Sequence, residues 1–97
     1  MLPKPQQETF GAFYDSVRGN DILEPKTSFL LHLGTAMAVG CTPCMEYYLG
    51  QVEKEAITPE EIGAVQAIVM AVSAGKVNAQ LREVEHRLRN KDGKAAC

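Results

Sequence analysis

An all-α fold is predicted by three observations. Apolar residues recur at helical spacing along nearly the whole chain. Runs of β-branched residues are short, and tryptophan is absent. Prolines and glycines stand where helices start and stop. At 97 residues the chain fits one small domain spanning 1–97. Its expected core runs from about residue 5 to residue 90.

About five helices are predicted. The first runs from Pro5 to Val17, with Phe10, Phe13, Tyr14 and Val17 at i, i+3, i+4 and i+7. Gly19 suits its C-terminal end, and residues 20–24 form a connector. The second starts at Pro25, a residue favoured in a first turn, and runs to Val39. It is apolar almost all round through Phe29, Leu30, Leu31, Leu33, Ala36, Met37 and Val39, so burial on most sides is expected. Gly40 stops it.

The third helix begins at Cys41-Thr42-Pro43-Cys44. Thr42 is the expected N-cap and Pro43 the first helical residue, and the helix continues through Tyr47, Tyr48, Leu49 and Val52 to about Glu55. The second and third helices form a hairpin whose turn carries both thiols. Thr58-Pro59-Glu60-Glu61 is a capping box with proline at the first helical position. It opens a fourth helix with an apolar face of Ile62, Val65, Ile68, Val69 and Val72, expected to end at Gly75. The fifth runs from Val77 to Asn90 with a narrow stripe of Val77, Leu81, Val84 and Leu88. Lys91 to Cys97 is expected to be a flexible polar tail.

Formal net charge is −2, and the basic residues between Arg82 and Lys94 alternate with Glu and Asp. Nucleic acid is therefore not the expected partner. Met1 to Phe10 has no apolar signal-like region, and no uninterrupted apolar run reaches the ~20 residues of a membrane span. A cytoplasmic protein with no membrane partner is expected. Two apolar faces are hard to bury in so short a chain, most of the second helix and the stripe on the fifth, so a homo-oligomer is expected.

Three cysteines, one of them Cys97, make a disulfide scaffold a poor reading. A C-x-x-C at a helix start fits dithiol redox chemistry. The thiolate is the attacking species, and a helix N-terminus favours negative charge. Two buried structural thiols are the plainer alternative. Zinc would require further ligands, and only His32, His86 and Cys97 remain to supply them. No cofactor or metal is expected. His86 falls opposite the stripe of its helix and reads as solvent-exposed. Glu46 is the carboxylate nearest the thiols but sits on a face open to solvent. Tyr47 and Tyr48 read as packing or interface residues, and Met37, Met45 and Met70 as gap-fillers.

The segments Ile22-Leu23-Glu24-Pro25-Lys26-Thr27, Ala38-Val39-Gly40-Cys41-Thr42-Pro43-Cys44 and Ile57-Thr58-Pro59-Glu60-Glu61-Ile62, in this order, resemble the carboxymuconolactone decarboxylase and alkyl hydroperoxidase D-like family. The resemblance spans roughly residues 22–75. It implies an all-helical homotrimer or homohexamer. It also implies peroxide reduction, or exchange with a partner dithiol protein, through Cys41 and Cys44. In the family pattern the second thiol attacks and the first resolves, which makes Cys44 the nucleophile and Cys41 the resolving thiol. The pattern also has a glutamate ahead of the first cysteine and a histidine past the second; their positions here are Phe29 and Tyr48.

An aromatic pair thus replaces a proton relay, and tyrosine with an ordinary pKa near 10 is a poor base at neutral pH. His32, nine positions before the turn, matches the depth of Tyr48, seven after it. It is the candidate base, with Tyr48 as its expected hydrogen-bond partner; a satisfied histidine beside the core is the alternative. Two other functions stay open. One is an oligomer that kept the fold and lost the chemistry. The other is lactone decarboxylation, against which stands the absence of arginine from the second to fourth helices.

Overall fold

A computed structural model describes residues 1–93, with side chains through Lys91. Cys97 and the rest of the tail beyond Gly93 lie outside the described residues. Among the described residues all regular structure is helical: α1 (Lys4–Arg18), α2 (Pro25–Val39), α3 (Thr42–Leu49) and α4 (Pro59–Gly93). The first two match their expected spans within a residue or so. α1 carries Pro5 in its first turn and ends at Gly19, and α2 has Pro25 at its first position.

Two expectations are corrected. The third helix stops at Leu49, not Glu55, because Gly50 closes it and the chain then turns back on itself. Ile57 N–H reaches the Val52 carbonyl at 2.8 Å, and Ala56 takes a positive φ of 55°. This turn inserts Ile57 into the core. The expected break at Gly75 is absent: the fourth and fifth helices are one continuous helix running into the expected tail. Glycine within a helix costs only about 1 kcal/mol relative to alanine. Without a proline or a left-handed turn nearby, that is too little to stop good helix formers on both sides.

The start of α4 is the predicted capping box. Thr58 N–H donates to Glu61 Oε1 at 2.9 Å, and Glu61 N–H donates to Thr58 Oγ1 at 3.1 Å. Lys26 of α2 adds an ion pair to Glu61 at 3.0 Å. The Thr58 backbone N–H, then the Lys26 ammonium, hold the Glu61 carboxyl below its ordinary 4.5. A depressed folded-state pKa stabilises the fold above the unfolded value, and that contribution is lost as pH falls through the folded pKa. The stability gap between wild type and Glu61→Gln in urea melts is therefore expected to be open above pH 4.5 and to close below it. A gap unchanged in acid would remove the carboxylate as its source.

α2 is the central element, packed against α3 on one side and α4 on the other. Gly34 lets α4 approach: a Cβ there would meet Val65 Cγ1 at 3.1 Å. The core is small. Phe29, Leu33, Tyr48 and Ile57 form one buried cluster, flanked by Leu30, Met37, Cys44, Val52 and Ile62. α2 is less enclosed than its composition suggested, with Leu31 and Val39 exposed, and Met70 of α4 is exposed rather than gap-filling.

The radius of gyration is 19.7 Å, well above the ~13 Å of a compact chain of about 100 residues. Val77, Leu81, Val84 and Leu88 are exposed along the outer half of α4. By length and mean hydropathy (1.3 over its most apolar window) α4 is also long and apolar enough to cross a membrane, and none of that window is buried in the lone chain.

Candidate redox site

The turn between α2 and α3 is built by Gly40. Its φ of 73° lies in the left-handed region, where L side chains are strained. This lets Cys41 N–H fold back onto the Ala36 carbonyl at 2.9 Å, a six-to-one closure that satisfies an otherwise open helix end. The chain then enters α3 at once. The cap is Cys41, not Thr42: Cys41 Sγ accepts the Cys44 N–H at 3.3 Å, and Thr42 and Pro43 occupy the first two helical positions. The Cys41 and Cys44 sulfurs are joined in a disulfide, with Cα atoms 5.3 Å apart. One sulfur of the pair thus occupies the position where a helix end offers an unpaired N–H and its positive dipole.

A cavity of about 510 Å³ opens beside the disulfide, lined on its deeper side by Tyr14, His32, Cys41, Cys44 and Tyr48. His32 does reach this space. Its hydrogen-bond partner, however, is Ser28 rather than the expected Tyr48: His32 Nδ1 lies 2.6 Å from the Ser28 carbonyl oxygen. A carbonyl can only accept, so Nδ1 carries a proton, and in the neutral ring the lone pair is then on Nε2. The ring leans on Tyr48 instead, with centroids 5.4 Å apart. Neither sulfur is hydrogen-bonded to His32 among the described residues.

Phe29 and Tyr48, at the expected relay positions, meet edge to face at 5.4 Å. Tyr48 is 5% exposed, and its hydroxyl is buried without a hydrogen-bond partner. Burial pushes its pKa up, and Tyr14 and Arg18 face it closely enough to bear on its titration, but neither meets hydrogen-bonding geometry. The same Arg18 guanidinium draws the Tyr14 pKa down. An orphaned buried hydroxyl costs about 1–3 kcal/mol. Tyr48→Phe removes it and leaves the ring, so the urea midpoint is expected to rise by the equivalent of about 1 kcal/mol. A clear loss of stability would instead reveal a partner for that oxygen.

Arg18 was not legible as a site residue. The last turn of α1 places its guanidinium 4.2 Å from the Tyr14 ring centroid, 4.4 Å from that of Tyr47 and 5.8 Å from that of Tyr48. The Tyr14 contact has local i,i+4 spacing, a signal present in the sequence. The contacts across to α3 are tertiary and have none. Arg18 thereby brings to the site the cation that α2, α3 and α4 do not supply from their own inward faces. On the far side of His32 and Tyr48 lies a second cavity of about 310 Å³, lined also by Arg18, Ser28, Lys54 and Glu55.

Glu46 is exposed. His86 is exposed too and bonds Asn90 along α4 at 3.1 Å. Among the described residues no three His, Cys, Asp or Glu side chains gather as a metal site would require. Cys97, the remaining thiol, is outside them.

A model of the carboxymuconolactone decarboxylase family matches residues 6–85. No curated protein and no solved structure matches the chain.

Proposed function

Since the chain belongs to the carboxymuconolactone decarboxylase family, we propose that it is a thiol-dependent oxidoreductase that reduces peroxides or exchanges with a partner dithiol through Cys41 and Cys44. The observation that carries this reading is the disulfide at the start of α3, with Cys41 Sγ on the Cys44 N–H. One thiolate attacks the outer oxygen of a peroxide; the O–O bond breaks, an alkoxide leaves and takes up a proton, and a sulfenic acid forms. The second thiolate attacks that sulfur and expels hydroxide, which is protonated to water, giving the disulfide. An external dithiol then reduces the pair and is itself oxidised to a disulfide. His32, through Nε2 of its neutral ring, is the candidate base for the thiol proton. Resemblance gives the attack to Cys44 and resolution to Cys41, whereas the capping geometry supports the thiolate at Cys41.

The reading includes a cytoplasmic homotrimer or homohexamer. Its support is the exposed stripe of α4 and the expanded shape of the lone chain. Gln66, Ser73, Lys76 and Asn78 interrupt the apolar surface of α4, which suits a protein partner better than lipid.

The test uses the full chain in a Cys97→Ser background, reduced and then treated with hydrogen peroxide or tert-butyl hydroperoxide. Loss of two thiols per chain with formation of the Cys41–Cys44 disulfide is expected. Thiols that survive both peroxides, or that are lost without the Cys41–Cys44 disulfide forming, would sink the proposal. The Phe29–Tyr48 contact favours a second reading, a family member that keeps the assembly without the chemistry. It predicts that both thiols titrate near the ordinary ~8.5 and that the oligomer ignores reductant.

A further inference from the structure

We propose that the cavity behind His32 and Tyr48 binds an organic monocarboxylate, its charged end at Arg18 and its apolar body against Phe29 and Tyr48. Four observations carry this. First, Arg18 lies against the faces of Tyr14 and Tyr47. Stacking uses the faces of a guanidinium and leaves its edge, with five N–H donors, available for a planar acceptor such as a carboxylate. Second, neither Arg18 nor Lys54 forms an ion pair with any described carboxylate, although both line the cavity. Third, Tyr48 is more than nine-tenths buried with its hydroxyl unpartnered, and it lines this space. A small shift of the ring would open that hydroxyl to a ligand oxygen and give it the partner the protein does not. Fourth, His32 and Tyr48 also line the largely apolar cavity at Cys41 and Cys44. The two cavities share these residues as a wall, so a ligand held at Arg18 lies against the side chains that flank the disulfide.

The charge balance favours an anion only narrowly. Arg18 and Lys54 oppose Glu55 across the same cavity. The geometry therefore points to a single carboxylate rather than a multiply charged group. Treating this ligand as the substrate end of an organic hydroperoxide rests on the redox reading above; the binding itself does not.

Calorimetry with the oxidised full chain separates the two, because it consumes no thiol. The probes are hexanoate, 1-hexanol and inorganic phosphate. Hexanoate is expected to bind about tenfold or more tightly than hexanol, the ratio a charge-assisted hydrogen bond supplies. Arg18→Gln should remove that advantage and leave hexanol binding unchanged. Tyr48→Phe should weaken hexanoate several-fold, an effect opposite in sign to its expected gain in stability. Glu55→Gln should tighten hexanoate, a gain that a misfolded variant would not give. Equal binding of hexanoate and hexanol, or of phosphate and hexanoate, overturns the proposal. So does an affinity for hexanoate indifferent to Arg18→Gln.

Discussion

Leu33→Ala is expected to leave the chain largely unfolded at room temperature. Among the described residues Leu33 is the one large side chain with no exposure at all, and it stands among Phe29, Tyr48 and Ile57 where α2, α3 and the turn before α4 meet. Truncating a buried leucine costs about 2–5 kcal/mol, through lost burial and the cavity left behind. Small domains have total stabilities near the lower end of 5–15 kcal/mol. A core with five buried apolar residues among those described offers few neighbours to close over the gap. The reporter is the urea midpoint of the helical circular dichroism signal. The control is Ile22→Ala, at 91% exposure, for which a change within about 0.5 kcal/mol is expected. A Leu33→Ala midpoint no lower than that of the control would mean that the fold is held elsewhere, most directly by contacts between copies along α4.

The contrast between these two sites reflects what the sequence made legible. Local chemistry is visible in one dimension. The box at Thr58 and Glu61, the left-handed turn at Gly40 and the proline at the head of α2 each depend on residues within a few positions. Each appears in the structure as the sequence implied. Gly75 looked like the same kind of signal and was not. A glycine ends a helix only if the chain beyond it turns, and here helix formers continue on both sides. Cys41 in place of Thr42 as the cap was also hidden, because a sulfur is an unusual cap and a threonine beside it is a common one.

The tertiary part of the site was less legible. Counting depth along the hairpin sets His32 level with Tyr48, and both line the cavity at the thiols. The Ser28 partner of His32, four residues back on the same helix, gave way in that argument to a partner across the hairpin. Arg18 was missed because α1 touches the rest of the chain mainly through one stacked cluster, which no periodicity announces.

Replacing either cysteine by serine should abolish disulfide closure outright, and what remains in each variant then separates the two roles. With Cys97→Ser as background, Cys44→Ser keeps the thiol that caps α3, and Cys41→Ser keeps the one inside its first turn. A helix N-terminus contributes up to about 2 kcal/mol to a partly buried charge, and the Cys44 N–H adds a charge-assisted hydrogen bond. About half of that combined effect, some 1.4 kcal/mol, lowers a thiol pKa by about one unit. The Cys41 thiol is then expected to titrate about one unit below that of Cys44. At neutral pH this raises its thiolate fraction about tenfold. A thiolate of lower pKa is also a weaker nucleophile, with a Brønsted slope of about 0.4–0.5, so the net gain in alkylation rate is about threefold. Peroxide should accordingly leave a sulfenic acid, trapped by dimedone, sooner on the Cys41-only chain. If the Cys44-only chain is the faster, attack belongs to Cys44, as the family resemblance implies. The cap at Cys41 would then serve to hold the resolving sulfur 5.3 Å away at the Cα, in reach of its partner.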